Sequence, residues 1–134
     1  MTERITRRQW LKQCRGPKSS RTKRKPPDLE GQMMLQFQAA GIEPSRRDVK
    51  LNDKQPRRWR YDFIFDAQKV IMEVEGGTYA PNGGRHTTGK GFNSDCHKYA
   101  YAMLCGYMVL RVDSVMVKDG SAIDYLEKLL KLIG

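Results

Sequence analysis

Two alternating stretches separated by four residues constrain the fold of this chain more than any other feature. Arg58 to Phe65 sets Trp59, Tyr61, Phe63 and Phe65 on one side and Arg58, Arg60, Asp62 and Ile64 on the other; Val70 to Glu75 sets Val70, Met72 and Val74 against Ile71, Glu73 and Glu75. A period of two on either side of Asp66-Ala67-Gln68-Lys69 predicts an antiparallel hairpin. A two-residue turn at Ala67-Gln68 pairs Asp66 with Lys69, and counting outward puts Asp62 directly opposite Glu73. Opposed residues share a face with Cβ atoms ~4.5–5.5 Å apart, where like charges repel. Glu75 projects from the same face two residues further on. Glu73 also interrupts Val70-Ile71-Met72-Glu73-Val74, a run apolar enough for a strand covered on both faces. A lone carboxylate there is costly. The plainer alternative, an amphipathic hairpin with both acids in water, fits that run poorly.

The rest of the chain supplies elements to cover such a hairpin. Asp28, after Pro26-Pro27, is a candidate N-cap and Gly41 a candidate stop, with Leu29, Met33, Phe37 and Ala40 at helical spacing between them. Glu30 falls in that helix's first turn, at the edge of the apolar stripe. A loop or short strand follows through Val49 and Leu51. Residues 76–93 read as a Gly-rich loop. Ser94 is a candidate cap for a second helix that stops at Gly106, with the stripe Cys96, Tyr99, Ala100, Met103 and Leu104 facing the core and Asp95 and Lys98 on its flank. Tyr107 to Val112 suits a buried strand, and Ser121 with Asp124 resembles a capping box for a last helix, Ile123 to Ile133. The expected class is α/β (α+β): a mixed sheet containing an antiparallel hairpin, flanked by helices, in one domain of residues 28–134. A chain of 134 residues suits one core.

Charge is spread unevenly. Residues 1–27 hold ten Lys or Arg and one acid, whereas the remaining fifteen bases nearly balance fourteen acids. A flexible basic arm on a near-neutral body points to a polyanion, nucleic acid before membrane. Arg7, Arg8, Arg21, Lys23, Arg24 and Lys25 are its candidate phosphate contacts, and Thr6 to Cys14 can form a short helix on DNA. A solubilising tail is the bland alternative. Cys14, Cys96 and Cys105 are odd in number and lack CxxC spacing, which argues against a disulfide framework or structural zinc and for a reducing cytoplasm. No apolar segment follows the charged N-terminus as a signal peptide requires, and no run approaches the ~20 apolar residues of a membrane span.

Three carboxylates on one sheet face, in a chain suited to DNA, call for a divalent cation. Oxygen-only donors select Mg²⁺ or Mn²⁺, which would neutralise the repulsion, bind a phosphate and acidify a water. The segments Tyr61-Asp62-Phe63, Glu73-Val74-Glu75-Gly76-Gly77, Gly84-Arg85-His86, Asp95-Cys96-His97-Lys98 and Gly106-Tyr107-Met108-Val109-Leu110-Arg111, taken in order, resemble the PD-(D/E)XK nucleases. The likeness covers about residues 28–117 and is nearest the very-short-patch-repair-like and small phage-type or Holliday-junction-resolvase-like endonucleases. It implies a restriction-endonuclease-like core of order αβββαβ plus a C-terminal helix, and Mg²⁺-dependent DNA hydrolysis. It assigns Asp62 and Glu73 as metal ligands and catalytic acids, with Glu30 beside the metal. Glu75 occupies the family's lysine position. The resemblance then makes Lys98 of the following helix the natural replacement, with Glu75 as an additional ligand if Lys98 does not reach.

His86 has two readings, a phosphate contact or proton donor to the leaving oxygen, or a loop histidine without chemistry. Arg85 and Lys90 read as phosphate contacts, as do Arg57, Arg58 and Arg60 on the approach to Asp62. Trp59 and Tyr61 read as core rather than base-stacking. Cys96 belongs to the core stripe and His97 to the helix flank, which leaves no zinc set. Lys98 itself is either catalytic or half of a surface pair with Asp95. A homodimer is an expectation by analogy only, because junction-cleaving relatives work as pairs; a phage-encoded chain would act in the bacterial host cytoplasm. The competing functions are a nuclease fold that binds DNA without cleaving it and, last, an RNA-binding protein.

Overall fold

The computed structural model describes Thr6, residues 28–76 and residues 89–134. In chain order these form α1 (Leu29–Ala40), β1 (Arg46–Val49), β2 (Tyr61–Phe65), β3 (Val70–Glu75), α2 (Gly89–Leu104), β4 (Met108–Asp113), α3 (Ser114–Asp119) and α4 (Ser121–Ile133). The strands make one open mixed sheet in the order β1-β2-β3-β4, antiparallel at the first two pairings and parallel at β3–β4. The class is α+β. No helix among the described residues is long and apolar enough to cross a membrane.

The hairpin has the expected register. Phe63 pairs with Met72, Ile64 with Ile71 and Phe65 with Val70. The Lys69 N–H closes the turn on the Asp66 carbonyl at 3.3 Å. As an inner strand, β3 is covered on both sides. On one face α1, α3 and α4 bring Met33, Phe37, Val117, Ala122 and Leu126 onto Phe63, Phe65, Val70 and Met72. The Phe37 ring meets Phe63 and Phe65 edge-on, at centroid distances of 4.9 and 5.9 Å. On the other face α2 brings Ala102 onto Tyr61, Ile64 and Ile71.

The first helix is capped as expected. Asp28 accepts from the Gly31 N–H at 2.7 Å, and Gly41, at φ 70°, takes the left-handed turn that a Cβ would disfavour. The short-strand reading between Gly41 and Leu51 is realised as β1.

Several expectations are corrected. The second helix starts at Gly89, so Ser94 lies inside it and part of the expected Gly-rich loop is helical. Its inward face is not the apolar stripe: Asp95, Tyr99 and Ala102 are buried, Cys96 and Ala100 are exposed, and Met103 and Leu104 are 59% and 85% exposed. The helix is rotated because its inward face carries polar groups that serve the sheet. The β4 strand buries only Val112 fully, since it is a sheet edge. A separate short helix, α3, precedes the last one. Gly120 occupies the cap position of α4, with no side-chain cap, so Ser121 and Asp124 form no capping box; Ser121 bonds Asp119 through its N–H at 2.8 Å and its hydroxyl at 2.6 Å. Finally, Trp59 and Tyr61 do not share a face with Phe63 and Phe65 but pack with Ile64 and Ile71 on the α2 side. The alternation slips at Asp62.

Candidate active site

That slip originates in the two acids. The main-chain ladder between β2 and β3 reaches Phe63–Met72. One step on, side chains replace it: the Asp62 N–H donates to Glu73 Oε1 at 3.1 Å, and the Val74 N–H donates to Asp62 Oδ2 at 2.8 Å. Each carboxylate thus satisfies a donor of the opposite strand, and the strands are held open over a cavity of about 350 Å³. Its walls include Asp48, Arg58, Trp59, Arg60, Asp62, Glu73, Glu75, Asp95 and Lys98.

Lys98 is the main cation of the floor. Its Nζ lies 3.0 Å from Glu73 Oε2, with side-chain exposures of 12% for the lysine and 6% for the acid. The ammonium also sits 4.9 Å from the Tyr61 ring centre and 5.6 Å from that of Tyr99, inside the range of cation–π attraction. The Tyr61 hydroxyl donates to the Lys98 carbonyl at 2.8 Å, fixing that turn of α2 to β2. The surface-pair reading of Lys98 is therefore set aside, although Asp95 does lie on the same buried face.

The electrostatics are crowded. Burial, opposed by Lys98 and reinforced by Asp62, pushes Glu73 up to about 7. Burial, and then the neighbouring carboxyl of Asp62, push Glu30 up to about 7. Asp62 is also raised by burial, against the Val74 N–H and Lys98, which lower it. Glu30 belongs to α1, on the other side of the sheet from α2, and the charge of Asp62 acts on it from between the two layers. Among the described residues no group of three or more His, Cys, Asp or Glu side chains stands ready to hold a metal ion. Lys98 and two main-chain N–H groups engage the oxygens of Asp62 and Glu73 instead.

No family model, curated protein or solved structure matches this chain. What the site can do follows from its own groups. The approach is basic: Arg58 and Arg60 line the cavity, and Arg60 lies 3.6 Å from Asp48 in a loose, exposed pair. Gln55 shapes this lip, accepting from the Leu51 N–H at 2.9 Å and donating to the Arg57 and Trp59 carbonyls at 2.6 and 2.8 Å. Arg57 is exposed next to it.

The structure thus gathers Asp62, Glu73, Glu75, Lys98, Arg58 and Arg60 around one cavity; Glu30 is not among its walls but lines a neighbouring pocket with Val74 and feels the charge of Asp62. Lys90 is exposed on the first turn of α2 and is not among the cavity walls. Arg7, Arg8, Arg21, Lys23, Arg24, Lys25, Arg85 and His86 lie outside the described residues. Cys96 and His97 are both exposed; this corrects the core placement of Cys96. Sequence reasoning missed Asp48, Gln55, Tyr99 and Arg111 as members of the site. Asp48 sits at φ 47° in β1, and a four-residue edge strand without clear alternation leaves no periodic signal. Arg111 is brought there by the parallel register that pairs it with Glu73, which only the assembled sheet supplies.

Proposed function

We propose that this chain is a divalent-metal-dependent endodeoxyribonuclease of the PD-(D/E)XK kind, with a restriction-endonuclease-like core. The observation that carries the reading is Lys98. It comes from the helix after the hairpin, replaces the lysine that Glu75 displaces, and contacts Glu73 beside Asp62 within a basic-lipped cavity. The α1-β1-β2-β3-α2-β4 order and the mixed sheet support it.

The donor set fits a hard cation. Asp62, Glu73 and Glu30 offer only carboxylate oxygens, and the raised affinity of Glu73 and Glu30 for protons comes from burial first and then from the neighbouring charge of Asp62, the second of which a bound cation would offset. These three would hold Mg²⁺ or Mn²⁺, which supplies Lewis acidity toward phosphate and water. To hold it, Asp62 and Glu73 would have to give up their present bonds to main-chain N–H groups and Lys98. Lys98, which lines the same cavity beside Glu73, would offset the charge that builds on the reacting phosphate. Arg58 and Arg60, with Arg57 beside them, receive neighbouring phosphates, and the arm of residues 1–27 adds sequence-independent affinity.

A second reading is a nuclease fold that binds DNA without cleaving it; Glu75 in the lysine position and the Lys98–Glu73 pair favour it. One experiment separates the two. Labelled duplex, nicked, mismatched and branched DNAs are incubated with the protein in Mg²⁺, Mn²⁺ or EDTA. Cleavage that requires the cation is the expected result; salt-dependent binding without cleavage under any cation leaves the binding module.

A further inference from the structure

Glu75 is the departure from the resembled pattern, and its surroundings give it a different task from metal ligation. It ends β3 and is 8% exposed. Its Oε1 accepts from the Tyr99 hydroxyl and from Arg111 Nε, both at 2.8 Å. Arg111 belongs to β4, where it is the register partner of Glu73, and its guanidinium lies 4.7 Å from the centre of the Tyr99 ring. One carboxylate oxygen therefore joins β3, β4 and α2. Tyr99 is the residue next to Lys98.

The helix needs such a joint. Its inward face is Asp95, Lys98, Tyr99 and Ala102, while Met103 and Leu104 point outward. A face that offers so little aliphatic surface cannot set the height and rotation of a helix over a sheet by apolar packing alone. Directional, charge-assisted bonds can. Were Glu75 to turn toward a cation, Arg111, which is part-exposed, could turn to water, but the hydroxyl of the buried Tyr99 would lose its acceptor.

We infer that Glu75 is a positioning residue: through Tyr99 and Arg111 it fixes α2 so that the Lys98 ammonium meets Glu73, and it does not ligate the cation. The catalytic meaning of this inference rests on the nuclease reading; the positioning itself does not. Misplacing a reacting group by about 1 Å can cost on the order of 100-fold in rate, so the joint matters for chemistry beyond its share of stability.

The deciding measurement is a double-mutant cycle in the full chain. The coupling between Lys98→Met and Glu73→Gln is read from unfolding free energies, first in the wild-type background and then with Glu75→Ala. Positioning predicts that the coupling falls by about half or more once Glu75 is gone. An unchanged coupling overturns the inference, whether or not the protein cleaves DNA. If Glu75→Ala does not fold, Tyr99→Phe removes only the hydroxyl and carries the same cycle. Mn²⁺ titration adds a second arm: Glu75→Ala is expected to bind Mn²⁺ as the wild type does, and a loss of about tenfold or more would make Glu75 a ligand and defeat the inference. In a cleaving preparation, kcat of Glu75→Ala should fall by roughly 10- to 100-fold with KM within about twofold, and Glu75→Gln, which keeps an acceptor oxygen, should recover most of it. A wild type that neither cleaves nor binds Mn²⁺ removes the nuclease reading, and the cycle still decides the role of Glu75.

Discussion

The β2–β3 hairpin has a polar group centred on carboxylate at each end, one acid at the turn and several at the open end, and the two ends are built to opposite effect. At the turn, Asp66 receives Arg46 through two bonds of 2.9 and 2.8 Å and the Tyr107 hydroxyl at 2.7 Å. The Arg46 hydrogen bond, above all, holds its carboxyl below the usual carboxylate range. This cluster ties β1, the turn and the entrance to β4 together, and every group in it gains from being folded. At the open end the acids are crowded. Lys98 bonds Glu73 and acts across space on Asp62, yet burial still wins, and both Glu73 and Glu30 are pushed up to about 7. Folding alone does not reward that arrangement. Acids held in an unfavourable state in a cavity are the pattern expected of groups kept for a task, and a bound cation returns the stability they forgo.

Neutralising an acid at the open end should have the largest effect. Asp62→Asn or Glu73→Gln is expected to lower Mg²⁺-supported cleavage by about 1,000-fold or more; in metal-free buffer Asp62→Asn should hold or raise stability because repulsion is relieved, whereas Glu73→Gln leaves the buried Lys98 ammonium without its partner and should lower it. Wild-type rates from either variant in a gel cleavage assay would erase the functional half of the comparison. Removing the cation of that end comes next. Lys98→Ala should slow single-turnover cleavage by about 100-fold with DNA affinity kept; a rate within error of the wild type would return Lys98 to a purely structural role. The turn end should respond in the other currency. Asp66→Asn is expected to lower unfolding stability by about 1 kcal/mol in urea titration and to leave cleavage untouched. Lost cleavage with intact stability would mean that the two ends are not separable.

How far the sequence announced this site differs by element. Asp62 opposite Glu73 was readable because period-two alternation and a two-residue turn leave little choice of register. The helix-one caps were readable for the same local reason. The face of α2 was not. Cys96, Ala100, Met103 and Leu104 form the better apolar stripe, yet the helix turns Asp95, Lys98 and Tyr99 inward. Hydrophobic periodicity fails where a helix face serves polar chemistry, and that is where function is expected to break a local rule. The slip of alternation at Asp62 failed to show for a related reason: it is caused by side-chain bonds to the Val74 and Asp62 N–H groups, which only the assembled hairpin supplies. Gln55 and Asp48 lie in segments too short and irregular to carry a period.

The central claim, that the open end is a cation site held under charge strain, is tested most directly by melting temperature against pH, with and without Mn²⁺. Glu73 and Glu30 bind protons more tightly folded than unfolded, with folded values near 7 against 4.5. Their contribution to stability is present below about 4.5 and is lost as pH rises through about 7. Asp66, lowered instead, acts at more acid pH. In metal-free buffer the melting temperature should therefore fall between about pH 5 and 8. Mn²⁺ should restore it at the alkaline end, and the restoration should vanish in Asp62→Asn and Glu73→Gln. A melting temperature that is flat or rising across that range, and indifferent to Mn²⁺, would contradict the account.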